Sequence, residues 1–511
     1  MRGERVPAGK VATSLAVLLC LGPPLAVALR GAGVSMAWAI VAPIAVAALL
    51  VRRVPELPLA AGRRRPLLAL AWLAVLAAGT VQTARASLYA QDPTRPEYSA
   101  VPGNPWRVEH CCFTAYAEGA RFASARLANV YERSLYVPDP DRPRRIGPLK
   151  VDPFHYPPTF LLLPGAVRVL APTFVDSRRV WFGVQALVLG GAFLALAWWV
   201  GGDGGRRLAL LAPLAWATPI TFISLQMGNF QITAVPLALL GVMLAWSRRD
   251  AAGGALLAFT AAGKVFPSML VLHAAAALRW RTVAWIAAMA LVFTAATAAA
   301  FGIHPFIAFV RDEFPRLVSG ASFPQTEMPG TMPVNMSVYG MTAKLRLLGA
   351  AWLDQPAGKH VAQIYALSLA VFVVWAGFRV RAWAGRDRPA DRLHLAMLWL
   401  AILNLASLGG PFVPVMYGAA GTLWLLTLLA ATAEVPSKFW NWIVLFVVMT
   451  IAVLIVPTPR PKEMPAISTL IVSLILQAGL FAVNAWAAAD WIRATRTARL
   501  PAAAPGAPQH H

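Results

Sequence analysis

Long apolar runs separated by short basic segments make up most of the chain, and two longer polar segments interrupt them. A helix needs about 20 apolar residues to cross the hydrocarbon of a bilayer, and several runs reach roughly that length. Because lipid cannot satisfy backbone polar groups, the pattern predicts an all-α polytopic membrane protein with about 12–14 transmembrane helices. The predicted spans lie near residues 11–29, 34–51, 66–84, 180–200, 208–226, 229–247, 283–302, 361–380, 393–409, 417–433, 441–457 and 467–489.

The apolar stretch at residues 251–278 is too long for one span and too short for two. Gly263 and Pro267 stand near its centre, and both residue types interrupt helices. The stretch therefore predicts a broken hairpin of two half-length helices, which membrane proteins tolerate where it lines a cavity. Residues 156–172 are apolar but rich in proline. We expect them to lie in the membrane interface rather than to cross.

Lysines and arginines concentrate in the short segments between predicted spans, which are therefore expected on the cytoplasmic side. The same rule places the two long polar segments, residues 85–157 and 303–360, outside. The first of these holds 8 of the 22 acids of the chain and many aromatic residues, which argues against disorder. We divide the chain into two N-terminal helices with an arginine-rich cytoplasmic loop (1–65), a membrane core with both outer loops (66–432), C-terminal helices (433–490) and a disordered cytoplasmic tail (491–511).

The composition, 58% hydrophobic and 13% charged, agrees with a membrane protein. A net charge of +23 would suit a nucleic-acid-binding protein, but basic residues along the cytoplasmic rim explain it better here. We therefore expect membrane lipids and no nucleic acid as partners. The abundance of Ala, Arg and Pro suggests a GC-rich bacterial genome, and hence the bacterial cytoplasmic membrane.

Lys264 is the most informative single residue in the membrane region, because it adjoins the predicted break of the hairpin. A cation near the bilayer centre costs about 2.5–3.5 kcal/mol and needs a partner or water. It could snorkel to the rim, or it could bind a phosphate head group. Asn229 and Gln231, in the polar corner between two predicted spans, are candidates to assist it, although the corner could equally be a simple polar turn.

Among the acids of the first loop, Glu109 and Glu118 flank a short aromatic segment and could act as a general base toward a sugar hydroxyl. The alternative for any one of them is an ordinary solvated carboxylate. The three cysteines do not form a disulfide framework. Metal-ligand motifs such as CxxC or HExxH are absent from the sequence, so we expect no cofactor, with a divalent metal left open.

Several short motifs occur in an order that resembles the GT-C superfamily of membrane glycosyltransferases. More narrowly, the chain resembles glycosyltransferase family 87, the polyprenyl-phosphate-mannose-dependent α-mannosyltransferase type, over roughly residues 66–430. The residues that carry the resemblance are Phe113, Tyr116, Asn129–Val130–Tyr131, Tyr156–Pro157–Pro158, Gly228–Asn229, Arg248–Arg249, Gly253–Gly254, Lys264, Pro267, Asn335, Ser337 and Gly340.

The resemblance implies inverting transfer of a mannose-like sugar from a polyprenyl-phosphate donor to an extracytoplasmic glycolipid or glycan. Lys264, Asn229 and Gln231 would hold the donor phosphate. The substrate-binding positions of the loops would be Tyr116, His155, Tyr156 and Asn335.

Cys112 occupies the position where the family has its catalytic aspartate. Glu109, Glu118 or Asp152 would then have to act as the base, or activity is lost. A transporter or lipid flippase, and a non-catalytic relative in envelope assembly, are the alternatives.

Overall fold

The computed structural model describes residues 8–50, 65–139, 143–381, 388–457, 460 and 462–497. These residues are almost entirely helical. The helices are α1 Ala8–Gly31, α2 Met36–Leu50, α3 Arg65–Gln91, α4 Pro105–Glu109, α5 Phe113–Ser124, α6 Leu162–Leu170, α7 Phe174–Val200, α8 Gly202–Ala217, α9 Pro219–Met227, α10 Gln231–Trp246, α11 Asp250–Gly263, α12 Ser268–Ala276, α13 Trp280–Phe301, α14 His304–Ala308, α15 Phe314–Ser319, α16 Val338–Leu347, α17 Gln355–Arg381, α18 Pro389–Leu408, α19 Val415–Thr432, α20 Pro436–Ile455 and α21 Ile467–Thr497.

Strands β1 (Arg145–Ile146) and β2 (Leu149–Lys150) form an antiparallel pair in the first long loop. Most of the predicted arginine-rich segment near residue 60 and the tail from residue 498 lie outside the described residues. The tail was expected to begin at residue 491, but α21 continues to Thr497.

Within the described ranges, nine helices are long and apolar enough to cross a membrane. Helices α8 and α9 together form a tenth candidate, bent by 63°. The bend lies at Thr218, whose hydroxyl caps α9 by accepting a hydrogen bond from the Thr221 amide, with Pro219 in the first turn. The all-α polytopic fold is thus confirmed. The expected 12–14 spans are reached only if shorter apolar helices, such as α2 and α10, also cross.

Helices α18 and α19 form the centre of the bundle, since 83% and 94% of the residues in their apolar 18-residue stretches are buried. Helices α13 and α20 lie at its periphery, with only 11% and 17% buried. Helix α1 packs along α7, where glycine allows close approach. A Cβ at Gly183 would lie 2.5 Å from the Pro24 carbonyl oxygen and closer still to the Ala28 Cβ, so the small residue sets the distance between these helices.

The predicted broken hairpin is confirmed. Helix α11 ends at Gly263 and α12 begins at Ser268. Gly263 leaves no room for a side chain, because a Cβ there would lie 2.6 Å from the ring of Phe230. Lys264 follows immediately in an extended conformation (φ −141°, ψ 130°). The break therefore directs the Lys264 side chain away from the helix axis and toward the first long loop.

The two long loops lie on the same side of the bundle, because they contact each other directly. Asn129 of the first loop donates to the Asp312 carboxylate of the second at 3.0 Å. The first loop begins at about Asp92 rather than at residue 85, since α3 continues to Gln91. In the second loop, Phe309–Glu313 forms one π-helical turn, a distortion that often accompanies functional sites.

The second loop is also fixed to the last helix through a buried lysine. Lys344 of α16 is fully buried, and its amino group donates to the Gln477 side chain of α21 at 2.8 Å. The Gln477 amide nitrogen in turn donates to the carbonyls of Met336 and Ser337 at 2.8 and 2.6 Å. Residues 332–348 and α21 thus form one packed unit.

Candidate active site

A short tertiary contact joins the two ends of the first long loop. The Thr114 hydroxyl lies 2.7 and 3.1 Å from the carbonyl oxygens of Cys111 and Lys150, and it accepts a hydrogen bond from the Asp152 amide at 3.1 Å. A backbone bridge between His110 and Lys150 runs beside it. Asp152 therefore lies next to His110, although 41 residues separate them in the chain.

His110, Cys112 and Asp152 form what we call the Cys–His–Asp cluster. Nδ1 of His110 lies 3.4 Å from the Asp152 carboxylate, and Nε2 lies 3.5 Å from the Cys112 sulfur. The imidazole stacks on Trp106 with ring centroids 4.8 Å apart and an interplanar angle of 10°, which fixes its orientation. The cluster combines one nitrogen, one sulfur and one oxygen ligand atom within 4.8 Å of one another. It can accept or relay a proton, and its donor set could hold a metal ion.

The groups of this cluster influence one another's protonation. Burial alone would lower the pKa of His110, but Asp152 and Cys112 outweigh it and raise that pKa to about 9. Burial raises the pKa of Asp152, while His110, His155 and Lys150 limit the rise. An imidazolium beside a carboxylate is consistent with these directions.

Two side chains of the helical bundle point at the Cys112 sulfur. Asn229 donates to it from 3.3 Å, and the Tyr417 hydroxyl lies 3.5 Å away. The Asn229 side chain accepts a hydrogen bond from the Gln231 amide at 2.9 Å. Gln231 thus contributes its backbone to the site. The predicted polar corner between α9 and α10 is therefore attached to the loop through Cys112.

An aromatic bridge connects this corner to Lys264. The Phe230 amide donates to the Tyr116 hydroxyl at 3.1 Å, and that hydroxyl lies 2.6 Å from the Tyr156 hydroxyl. The Lys264 amino group is 4.7 Å from the centre of the Tyr156 ring, a cation–π distance. A series of contacts, which we call the contact chain, therefore runs from Asp152 through His110 and Cys112 to Asn229. It continues from the next residue, Phe230, through the two tyrosines to Lys264.

Lys264 contacts an aromatic face rather than a carboxylate. Among the described residues, no acid lies within ion-pair distance of its amino group. A partly buried cation in this setting can accept an anionic ligand without first breaking an ion pair.

The other two predicted carboxylates are engaged in ion pairs. Glu109 contacts Arg145 at 2.9 Å and Lys150 at 2.8 Å. Burial opposes it, but these two cations lower the pKa of Glu109. Glu118 is buried on α5 and pairs with Arg121 at 2.8 Å and Arg144 at 2.5 Å. The structure does not bring either into the Cys–His–Asp cluster.

Two predicted substrate positions are held by protein partners. Nδ1 of His155 lies 2.7 Å from the Glu313 carboxylate of the second loop. Asn335 is fully buried. Its side chain accepts from the amides of Ser337 and Val413 at 3.1 and 3.0 Å and donates to the Pro411 carbonyl at 3.2 Å. Asn335 therefore supports the segment just before α19, the helix that carries Tyr417.

Sequence reasoning missed His110, Tyr417 and Glu313. Glu313 is buried, accepts a hydrogen bond from the Ser322 hydroxyl at 2.8 Å and forms an ion pair with Arg316 at 2.9 Å. The charged run Arg311–Asp312–Glu313 in the second long loop was the available signal. Its partners Asn129 and His155 lie more than 150 residues earlier, which no local pattern indicates.

The family model of glycosyltransferase family 87 matches residues 154–408, about half of the chain. The matched part contains Tyr156, Asn229 and Lys264, whereas the Cys–His–Asp cluster lies before it. No curated protein and no solved structure matches the chain. With its multiple apolar helices, the protein is a GT-C-like membrane glycosyltransferase that resembles family 87.

Proposed function

We propose that this protein transfers a mannose-like sugar from a polyprenyl-phosphate donor to a hydroxyl group of a glycolipid or glycan, with inversion at the anomeric carbon. The acceptor oxygen attacks the anomeric carbon from the face opposite the phosphate. The bond between that carbon and the phosphate oxygen breaks, its electron pair stays on the departing polyprenyl phosphate, and the acceptor proton passes to a base. The reaction occurs on the outer side of the bacterial cytoplasmic membrane.

Lys264 is the residue that would bind the donor phosphate. It stands at a helix break that is lined by Phe230 and Phe160, and its charge is not neutralised by a nearby described acid. A fixed cation stabilises the charge that develops on the leaving phosphate, which is the principal need of this reaction. A lipid-linked donor reaches such a residue from within the bilayer.

Asp152 is the carboxylate that would serve as the base. Of Glu109, Glu118 and Asp152, it is the one not held by arginine or lysine at ion-pair distance in the described chain. His110, at 3.4 Å, orients it. A positioned base contributes about 10²–10⁴-fold to a proton-transfer step.

The single observation that supports this proposal best is the contact chain. It couples a candidate base at one end to a candidate phosphate-binding cation at the other through contacts of 2.6–3.5 Å, with a cation–π contact of 4.7 Å as its last link. An inverting transfer needs these two functions on opposite sides of one anomeric carbon.

The test is transfer of radiolabelled sugar from polyprenyl-phosphate-mannose in membranes that contain each variant. Lys264→Ala should lower kcat/KM by about 10- to 150-fold, the value of a charged hydrogen bond. Asp152→Asn should lower kcat by about 10²–10⁴-fold. Glu97→Gln, an exposed carboxylate in the same loop, and Lys359→Ala, an exposed lysine in α17, are the matched controls.

If both the Lys264→Ala and the Asp152→Asn variants transfer sugar at the wild-type rate, the assigned roles are refuted. A wild type that transfers nothing from such donors but moves a lipid or solute across vesicles would show a flippase or transporter instead. Transfer that is lost in Glu109→Gln but not in Asp152→Asn would move the base to Glu109.

A further inference from the structure

The Cys–His–Asp cluster contains the three ligand types that bind zinc in proteins. The imidazole of His110, the thiol of Cys112 and the carboxylate of Asp152 offer one ligand atom each, all within 4.8 Å of one another. The ligand atoms of a tetrahedral zinc centre lie about 3–4 Å apart, given bonds of about 2.0–2.3 Å. A contraction of about 1 Å would close the cluster around an ion.

We propose that His110, Cys112 and Asp152 form a binding site for a zinc ion, with a fourth position open to an exchangeable ligand. Binding releases the protons of the His110 imidazolium and the Cys112 thiol, so that a neutral imidazole and a thiolate bind the ion. Sulfur and imidazole donors select zinc over magnesium, calcium and manganese, which prefer oxygen ligands. Three protein ligands with one open position are typical of catalytic rather than structural zinc.

The surroundings of the cluster support each ligand. The Trp106 ring, stacked at 4.8 Å, holds the imidazole plane. Asn229 donates to the Cys112 sulfur from 3.3 Å, and the Tyr417 hydroxyl is 3.5 Å from it, so a metal-bound thiolate would keep two hydrogen-bond partners. Partners of this kind orient metal ligands and tune the metal.

The positive charge of Lys150, which lies beside the cluster, is balanced by an acid and so does not repel a bound zinc ion. Lys150 forms an ion pair with Glu109 at 2.8 Å, and Arg145 contacts the same carboxylate at 2.9 Å. These ion pairs give Glu109 a role that is not catalytic, because its carboxylate neutralises the two cations beside the cluster.

A zinc ion here would act as a Lewis acid toward an oxygen bound at the open position. This role depends on the proposed sugar transfer, where that oxygen is the acceptor hydroxyl and the second oxygen of Asp152 remains free to take its proton. Binding of the ion itself does not depend on the reaction.

The experiment uses the full-length protein in detergent, freed of metal with a chelator and titrated with cobalt(II), which replaces zinc and is coloured. Coordination by Cys112 should give a thiolate-to-cobalt absorption band that saturates at one equivalent. Cys112→Ser should lose this band, whereas the matched control Cys111→Ser should keep it, because Cys111 is buried and is not among the cluster ligands. His110→Gln and Asp152→Asn should weaken cobalt binding by at least about tenfold.

A wild type without the band, or a Cys112→Ser variant that keeps it, would overturn the site. Should Cys112→Ser fail to fold, alkylation of the wild type decides. Zinc but not magnesium should slow modification of Cys112 by iodoacetamide, and equal rates with and without zinc would overturn the proposal. Neither measurement requires a sugar donor, so failure of the metal site is distinguishable from failure of the proposed transferase.

Discussion

Replacing Lys344 by methionine should change the pH dependence of the protein's stability. Burial lowers the pKa of Lys344 to about 7, from 10.5 for an exposed lysine. A pKa difference of one corresponds to about 1.4 kcal/mol, so the buried charge costs the folded state on the order of 5 kcal/mol. Its neutral partner Gln477, at 2.8 Å, offsets only part of that cost.

The direction of the pH effect follows from which state binds more protons. The folded pKa lies below the unfolded one, so between about pH 7 and pH 10.5 the unfolded chain holds the proton more often. The free energy of unfolding of the wild type therefore rises across this window, by up to about 1.4 kcal/mol per pH unit. Below about pH 7 the full cost of the charge is present.

Lys344→Met removes the charge and leaves the Gln477 side-chain oxygen without its donor, which costs about 1–3 kcal/mol. At neutral pH the variant should therefore be the more stable protein by about 2–4 kcal/mol. Near pH 10 the wild type should be the more stable one, because its lysine is then largely neutral and keeps its hydrogen bond.

The assay is thermal unfolding in detergent from about pH 6 to about pH 10. Lys359→Met, a change at an exposed lysine in α17, serves as the control and should show a constant difference from the wild type. If the stability difference between the wild type and Lys344→Met is the same at neutral and alkaline pH, the buried-charge reasoning is wrong.

Three further predictions concern the first long loop and the helix break. Glu118→Gln breaks the ion pairs of a buried carboxylate with the partly exposed Arg121 and Arg144, so it should destabilise the protein by about 1.5–3 kcal/mol in thermal unfolding. Tyr156→Leu should weaken donor binding, measured as KM, more than Tyr156→Phe, because phenylalanine loses the hydroxyl contact with Tyr116 but keeps the ring that faces Lys264. Gly263→Val should destabilise the protein by about 1–3 kcal/mol, since its side chain must displace the Phe230 ring.

Each of these outcomes can fail separately. A fully stable Glu118→Gln variant without transfer would identify Glu118 as a reacting group instead of a structural one. Equal KM values for the two Tyr156 variants would exclude a role for the ring. An unfolding temperature for Gly263→Val equal to that of the wild type would show that the hairpin break can widen freely.

Features governed by local sequence were predicted well. The spans and the break after Gly263 follow from apolar length and from helix-breaking residues, both of which act within a few positions. The start of the first loop was placed too early because α3 continues past its most apolar part to Gln91. The end of that helix is set by packing: Arg178 of α7 donates to the carbonyls of Tyr89 and Ala90 at 2.5 and 3.0 Å.

The candidate site was predictable only in part, because its decisive contacts span long stretches of chain. Lys264 and the Asn229 corner could be singled out from their local surroundings. The choice of Asp152 over Glu118 as the proposed base could not be made from the sequence. It depends on Thr114 binding the far end of the loop and on Arg144 pairing with Glu118. Contacts of this kind are fixed by tertiary structure, and the hydrophobic periodicity of the sequence does not predict them.

The distance along the chain between Cys112 and Tyr417 has a consequence for how the protein is made. Their side chains meet at 3.5 Å, yet 305 positions separate them. Chains are synthesised from the N-terminus, and their early parts fold first. Cys112 therefore leaves the ribosome long before α19, and its surroundings are completed only when that helix joins the bundle. Nascent chains that stop before α19 therefore lack the contact between Cys112 and Tyr417.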